Sequence, residues 1–218
     1  MSIFNILLTI HIIGGVLGLV CGIINIVRKK GDKTHKLVGK GFLYGMLTAG
    51  AASFILAILH PSPFLFMVGV FSVYLVGSGQ RYLSLKELNK GQKPMFIDYA
   101  LSIFMFIAGV LFIGFGVSTL IKSNEFGIVY IVFGSLGLRF VHRDFNNFRG
   151  KVKYVNYWLL EHIGRMSGGF IASVTAFLVV NGRYFPFIPD ALLWLLPTIL
   201  IVPLIVKWSV KSAVKFKN

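Results

Sequence analysis

From Met1 to Val27 the chain contains no Asp, Glu, Lys or Arg, and the same holds from Gly41 to Gln80 and from Tyr99 to Ile121. An α-helix rises 1.5 Å per residue, so about 20 apolar residues cover the roughly 30 Å hydrocarbon core of a bilayer. The uncharged run 41–80 is therefore two spans joined at His60-Pro-Ser-Pro63. Soluble domains are about one quarter charged. This chain is 13% charged and 56% hydrophobic over 218 residues, with a mean hydropathy of +0.80. The expected fold class is all-α: a polytopic transmembrane helical bundle, one domain over 1–218, embedded in the lipid bilayer.

Seven spans are predicted, at about 3–27, 37–59, 64–83, 98–121, 126–141, 157–180 and 190–206. The first lacks the basic leader and small-residue exit of a cleaved signal peptide, and Arg28, Lys29 and Lys30 follow it instead. It reads as a retained helix. The lone Cys21 lies within it, so no intrachain disulfide can form.

The charge of +15 comes from 22 Lys+Arg against 7 Asp+Glu. In a soluble protein that surplus suggests nucleic acid; here it falls in short loops, where it sets orientation and meets anionic lipid headgroups, so nucleic acid is not an expected partner. Loop one and its flanks hold Arg28, Lys29, Lys30, Lys33, Lys36 and Lys40, and the third connection holds Arg81, Lys86, Lys90 and Lys93. Arg139, Arg143, Arg149, Lys151 and Lys153 mark the fifth, and Lys207, Lys211, Lys215 and Lys217 the tail. That places 19 basic residues on one side against Lys122 and Arg183 on the other. Because Lys and Arg are retained in the cytoplasm, the expected orientation is N-terminus out, C-terminus in.

Glycine recurs every four residues at Gly14, Gly18 and Gly22, and pairs occur at Gly41/Gly45 and Gly164/Gly168. Such stripes let helix backbones approach closely, and packing within one bundle is the expected use. Pro197 and Pro203 should kink the last span.

Polar groups at membrane depth are costly and mark candidate sites. Glu161, His162 and Arg165 lie at i, i+1 and i+4, so they share one side of the sixth span. They define an expected polar site in the cytoplasmic half, alongside a plain ion pair as the simpler reading. His35 and His142 sit at predicted loop–helix junctions of similar depth, near Asp32 and Asp144. His35, His142 and His162 with a nearby carboxylate have the composition of a catalytic zinc site, although no HExxH spacing is present. His11 lies beside the glycine stripe, as a haem or metal ligand or as a histidine bonded to a neighbouring helix. Counted along the helices, His11 and His162 differ in depth by about 10 Å, too much for one haem iron between two imidazoles. His60 reads as a turn residue.

No phosphate-binding loop, dinucleotide fingerprint, CxxC pair or nucleophile elbow is present. Two functions stay open. One is redox or hydrolytic chemistry at a metal- or haem-binding polar site; the other is a non-enzymatic role, as small-solute transporter or accessory membrane subunit.

The segments HIIGG (11–15), KKGDKTHKLVGKGF (29–42) and EHIGRMSGGFIASVTAFLVVN (161–181) resemble an uncharacterised family of bacterial multi-pass inner-membrane proteins. The resemblance implies a helical bundle in the bacterial inner membrane, and no established substrate.

Overall fold

The computed structural model describes residues 2–216, apart from the side chains of residues 190 and 191. Among them are seven α-helices: α1 (Ile3–Val27), α2 (Lys33–Leu59), α3 (Pro63–Tyr82), α4 (Phe96–Ile121), α5 (Gly127–Phe148), α6 (Tyr157–Val180) and α7 (Asp190–Ser212). The starts are set by local chemistry. Ser2 accepts from the Asn5 N–H at 3.3 Å and Asp32 from the His35 N–H at 2.6 Å. Ser62 accepts from the Leu65 N–H at 3.4 Å, with Pro63 as the first helical residue. Between α1 and α2, Gly31 turns the chain at φ +84°, a conformation that favours glycine.

Six of the seven helices are long and apolar enough to cross a membrane, which makes this a multi-pass membrane protein by length and composition. The exception is α5, which carries Arg139, His142, Arg143 and Asp144 toward one end. Several boundaries differ from expectation: α2 begins at Lys33 rather than 37, α5 continues to Phe148 rather than 141, and α7 to Ser212 rather than 206. The charges that suggested a loop after 141 are helical because the one facing inward, Asp144, is paired. His142 accordingly lies inside α5 and not at a junction.

Three long antiparallel contacts organise the bundle: α1 with α2, α4 with α5, and α3 with α6. α2 also packs on α3, and α7 on α6. α3 is the central helix, with most of its residues from Met67 to Tyr82 buried, whereas α1 buries only Gly14, Gly18 and Gly22. Its Met67, Val70, Phe71, Tyr74 and Leu75 meet Met105, Phe112 and Tyr130 of α4 and α5 in the main core.

Glycine pairs close both flanking hairpins. A Cβ built on Gly45 would lie 2.7 Å from both Gly14 O and Gly18 N, and one on Gly116 would lie 2.7 Å from Gly127 O. Gly109 and Gly134 repeat this contact in the α4–α5 hairpin. Gly14, Gly18 and Gly22 are all buried within the chain, the first two against α2 and Gly22 against Phe170 of α6. The α6 glycine expectation shifts by register: Gly164 faces open space, whereas Gly169 is the one pressed on Val76 of α3. α7 continues as one helix through Pro197 and Pro203.

The α1–α2, α3–α4 and α5–α6 loops and the C-terminal tail gather most of the Lys and Arg at what is termed the basic end.

Candidate functional site

The α3–α6 contact brings the interior polar groups together. Arg165 lies eight residues along α6, about 12 Å from its start at 1.5 Å per residue. It is completely buried, at 0% exposure. Its guanidinium is spread over three helices. Nε donates to Glu161 Oε2 at 3.2 Å, one turn back on α6. Nη1 donates to Tyr74 Oη at 2.8 Å and Ser78 Oγ at 2.9 Å on α3, and Nη2 to Asp144 Oδ1 at 2.5 Å on α5. The guanidinium also lies over the rings of Tyr82, Phe140 and Tyr74, 4.8 to 5.4 Å from their centroids.

Asp144 is 1% exposed and fully satisfied. Besides Arg165 it accepts from Tyr74 Oη at 2.7 Å, Tyr82 Oη at 2.6 Å and Ser102 Oγ of α4 at 2.8 Å. Asn147 donates to Tyr82 Oη at 3.1 Å and to Glu161 Oε1 at 3.4 Å, closing the ring of contacts. Glu161 takes its second cation from Arg143, at 2.6 Å, whose side chain is 52% exposed and reaches outward.

Two carboxylates and two guanidiniums thus balance in a centre tying α3, α4, α5 and α6 together. An isolated charge there would carry a large desolvation cost; this arrangement meets every charge with an opposite one and with hydroxyl donors. Beside it lies a cavity of about 10 Å³, whose lining includes Ser78, Tyr82, Ser102 and Asp144. A cavity of that size holds about one water molecule. At its outer rim Arg81 and Asp98 form a two-pronged ion pair at 2.7 and 2.9 Å. Asp98 also accepts from the Met95 N–H at the start of α4, at 2.8 Å.

Of the residues expected at the site, Glu161 and Arg165 join this centre. His162 turns away from it, its Nδ1 bonded to Gly79 O of α3 at 2.9 Å. His35 stands at the start of α2, with its Nδ1 buried and unpartnered. His142 is exposed on α5, its Nε2 held by Asn146 at 2.9 Å. The expected zinc set therefore does not assemble: among the described residues no group of three or more His, Cys, Asp or Glu is placed to hold a metal ion. The physical reason is helical phase. Within a single turn α5 presents Asp144 inward and His142 to the outside, since residues two apart on a helix differ by about 200°. His11 bonds through Nδ1 to Ala49 O of α2 at 2.9 Å, and His60 stacks on Phe4 with centroids 4.3 Å apart.

Sequence reasoning placed Asp144 only as a carboxylate near His142, and missed Asn147, Tyr74, Ser78, Tyr82 and Ser102. Two signals marked most of them. Tyr74, Ser78 and Tyr82 recur every four residues on α3, and Asp144 and Asn147 continue the three-four rhythm of Gly127, Tyr130, Gly134, Gly137 and Val141, the buried stripe of α5. Comparison with protein-family models, with curated proteins and with solved structures found no match to this chain.

Proposed function

We propose that this is a non-enzymatic accessory component of a bacterial inner membrane whose polar centre is a structural clamp rather than a reaction site. The observation that carries this reading is the closure of the Arg165 network. Its carboxylates are satisfied from within the chain, and the adjoining space is about 10 Å³, far below the several hundred Å³ of a small-molecule pocket. A solute path is further disfavoured by the packed Met67, Phe71, Met105 and Phe112 beyond the network.

A second reading keeps the redox or hydrolytic alternative, and one observation favours it. His11 and His162 each hold Nδ1 on a backbone carbonyl of a neighbouring helix. That second bond is what orients an imidazole whose Nε2 ligates a metal or haem iron. The two readings separate on purification from the native membrane. The clamp predicts no Soret band and no stoichiometric transition metal; either signal overturns it, and its loss in His11→Ala or His162→Ala would locate the ligand.

The proposed topology has seven crossings, N-terminus out and C-terminus in, with anionic headgroups meeting the basic end. Support comes from the 19-to-2 division of basic residues and from α5 itself. Its 22 residues extend about 33 Å at 1.5 Å per residue, and Asp144 and Asn147 are turned inward. Reporter fusions after Lys90 and at the C-terminus should both report cytoplasm. If the two ends of α5, at Asn124 and Lys151, report the same side, α5 does not cross and the seven-span topology falls.

A further inference from the structure

We propose that the outer face of the α4–α5 hairpin, at the basic end, is a binding site for one anionic phospholipid. This rests on the membrane-spanning reading of α5 and adds a specific ligand site to it.

Arg139, His142 and Asn146 of α5 and Arg149, which caps its end, lie at i, i+3, i+7 and i+10, a single row along one side of the helix. Arg139, His142 and Arg149 are exposed. Arg143, between them in sequence, finds Glu161 on the inward side. Arg139 and Arg149 have no carboxylate within 4.0 Å among the described residues. Uncompensated guanidiniums beside hydrocarbon are costly, and a phosphate is the anion the bilayer supplies at the level of Arg149, with Arg139 about 15 Å deeper at 1.5 Å per residue.

The same face contains a groove of about 320 Å³. Its floor is apolar, formed by Phe106 of α4 with Leu138 and Phe145 of α5; its polar end is His142, Asn146 and Arg149. The order along α5 is that of a phospholipid: acyl chain beside Leu138 and Phe106, phosphate toward Arg149. Register fixes the level. Gly109 meets Gly134 and Gly116 meets Gly127, so Arg149 lies beside the Phe96 start of α4, at the end of the hairpin, and Leu138 lies deeper. Asn146 anchors the His142 ring at 2.9 Å, leaving the other ring nitrogen for the headgroup. Anionic rather than zwitterionic lipid is the fitting class, because a choline or ethanolamine cation would meet Arg149 at the polar end of the groove with its own positive charge.

The test uses the full chain purified in detergent, titrated with dioleoyl-phosphatidylglycerol or dioleoyl-phosphatidylcholine and examined by native mass spectrometry. The wild type should retain the first phosphatidylglycerol with at least about tenfold higher occupancy than phosphatidylcholine, one factor of ten being about 1.4 kcal/mol. Arg139→Gln with Arg149→Gln should remove most of that preference, whereas Lys207→Gln with Lys211→Gln on α7 should leave it. Equal retention of the two lipids by the wild type, or a preference that survives Arg139→Gln/Arg149→Gln, overturns the site. Both arginines are exposed, so the thermal unfolding of the variant should match the wild type; if the pair does not purify, Arg149→Gln alone carries the test. Reporter fusions at Asn124 and Lys151 are the separate control: the same side for both refutes the membrane-spanning reading of α5 itself, whatever the lipid titration shows.

Discussion

Arg165→Met should be the most damaging single substitution in the interior, lowering stability by about 3–5 kcal/mol as a buried pair loses its cation. The size follows from what is left behind. Asp144, 1% exposed, would keep three hydroxyl donors but no cation, and Glu161 would keep Asn147 and, as its one cation, the half-exposed Arg143. Arg165→Lys should recover part of the loss, since an ammonium restores the charge but cannot reach Glu161, Ser78, Tyr74 and Asp144 at once in the planar fork the guanidinium provides. The clamp reading adds a sharper expectation: Arg165→Met combined with Asp144→Leu and Glu161→Leu should be more stable than Arg165→Met alone, because removing all the charges also removes their desolvation cost. Thermal unfolding in detergent of the three variants provides the measurement. A triple variant no better than Arg165→Met would show that the network does more than pair its own charges.

The helices themselves were legible because a bilayer imposes them: uncharged runs of 20 or more residues admit few alternatives. Glu161 and Arg165 were legible for the same reason, as charges four residues apart inside such a run. Asp144 was hidden by its company. Arg139, Arg143 and Arg149 around it form a positive cluster, and a positive cluster ordinarily signals a loop. The sign that Asp144 faces inward lies in a different property, the three-four spacing of small and apolar residues back to Gly127, which a hydropathy sum averages away. Tyr74 and Tyr82 were concealed differently. Tyrosine is common in membrane helices, and only the partner across the α3–α5 contact, 62 to 70 residues away in sequence, shows that their hydroxyls meet a carboxylate. His142 illustrates the reverse error: similar depth suggested a shared site with His162, but depth along a helix says nothing about the side it faces.

Gly45→Leu should be the second large effect, and the structure separates it from neighbouring glycines that the four-residue stripe treats alike. A Cβ at Gly45 meets backbone on two sides, 2.7 Å from Gly14 O and 2.7 Å from Gly18 N. Backbone cannot move aside as a side chain can, so α1 must separate from α2 along their longest contact. Overpacking of a tight interface costs about 1–3 kcal/mol, and contact with rigid backbone places this substitution at the upper end or beyond. Gly18→Leu should cost less, because its Cβ meets chiefly Met46 Sδ at 2.8 Å, the flexible end of an adaptable side chain. Gly15→Leu should be close to neutral, since nothing lies within 4 Å of a Cβ there. Thermal unfolding of the three variants in one detergent should therefore rank them Gly45→Leu, Gly18→Leu, Gly15→Leu from most to least destabilised. If Gly15→Leu is as damaging as Gly45→Leu, α1 buries the opposite side, and the α1–α2 packing described above is wrong.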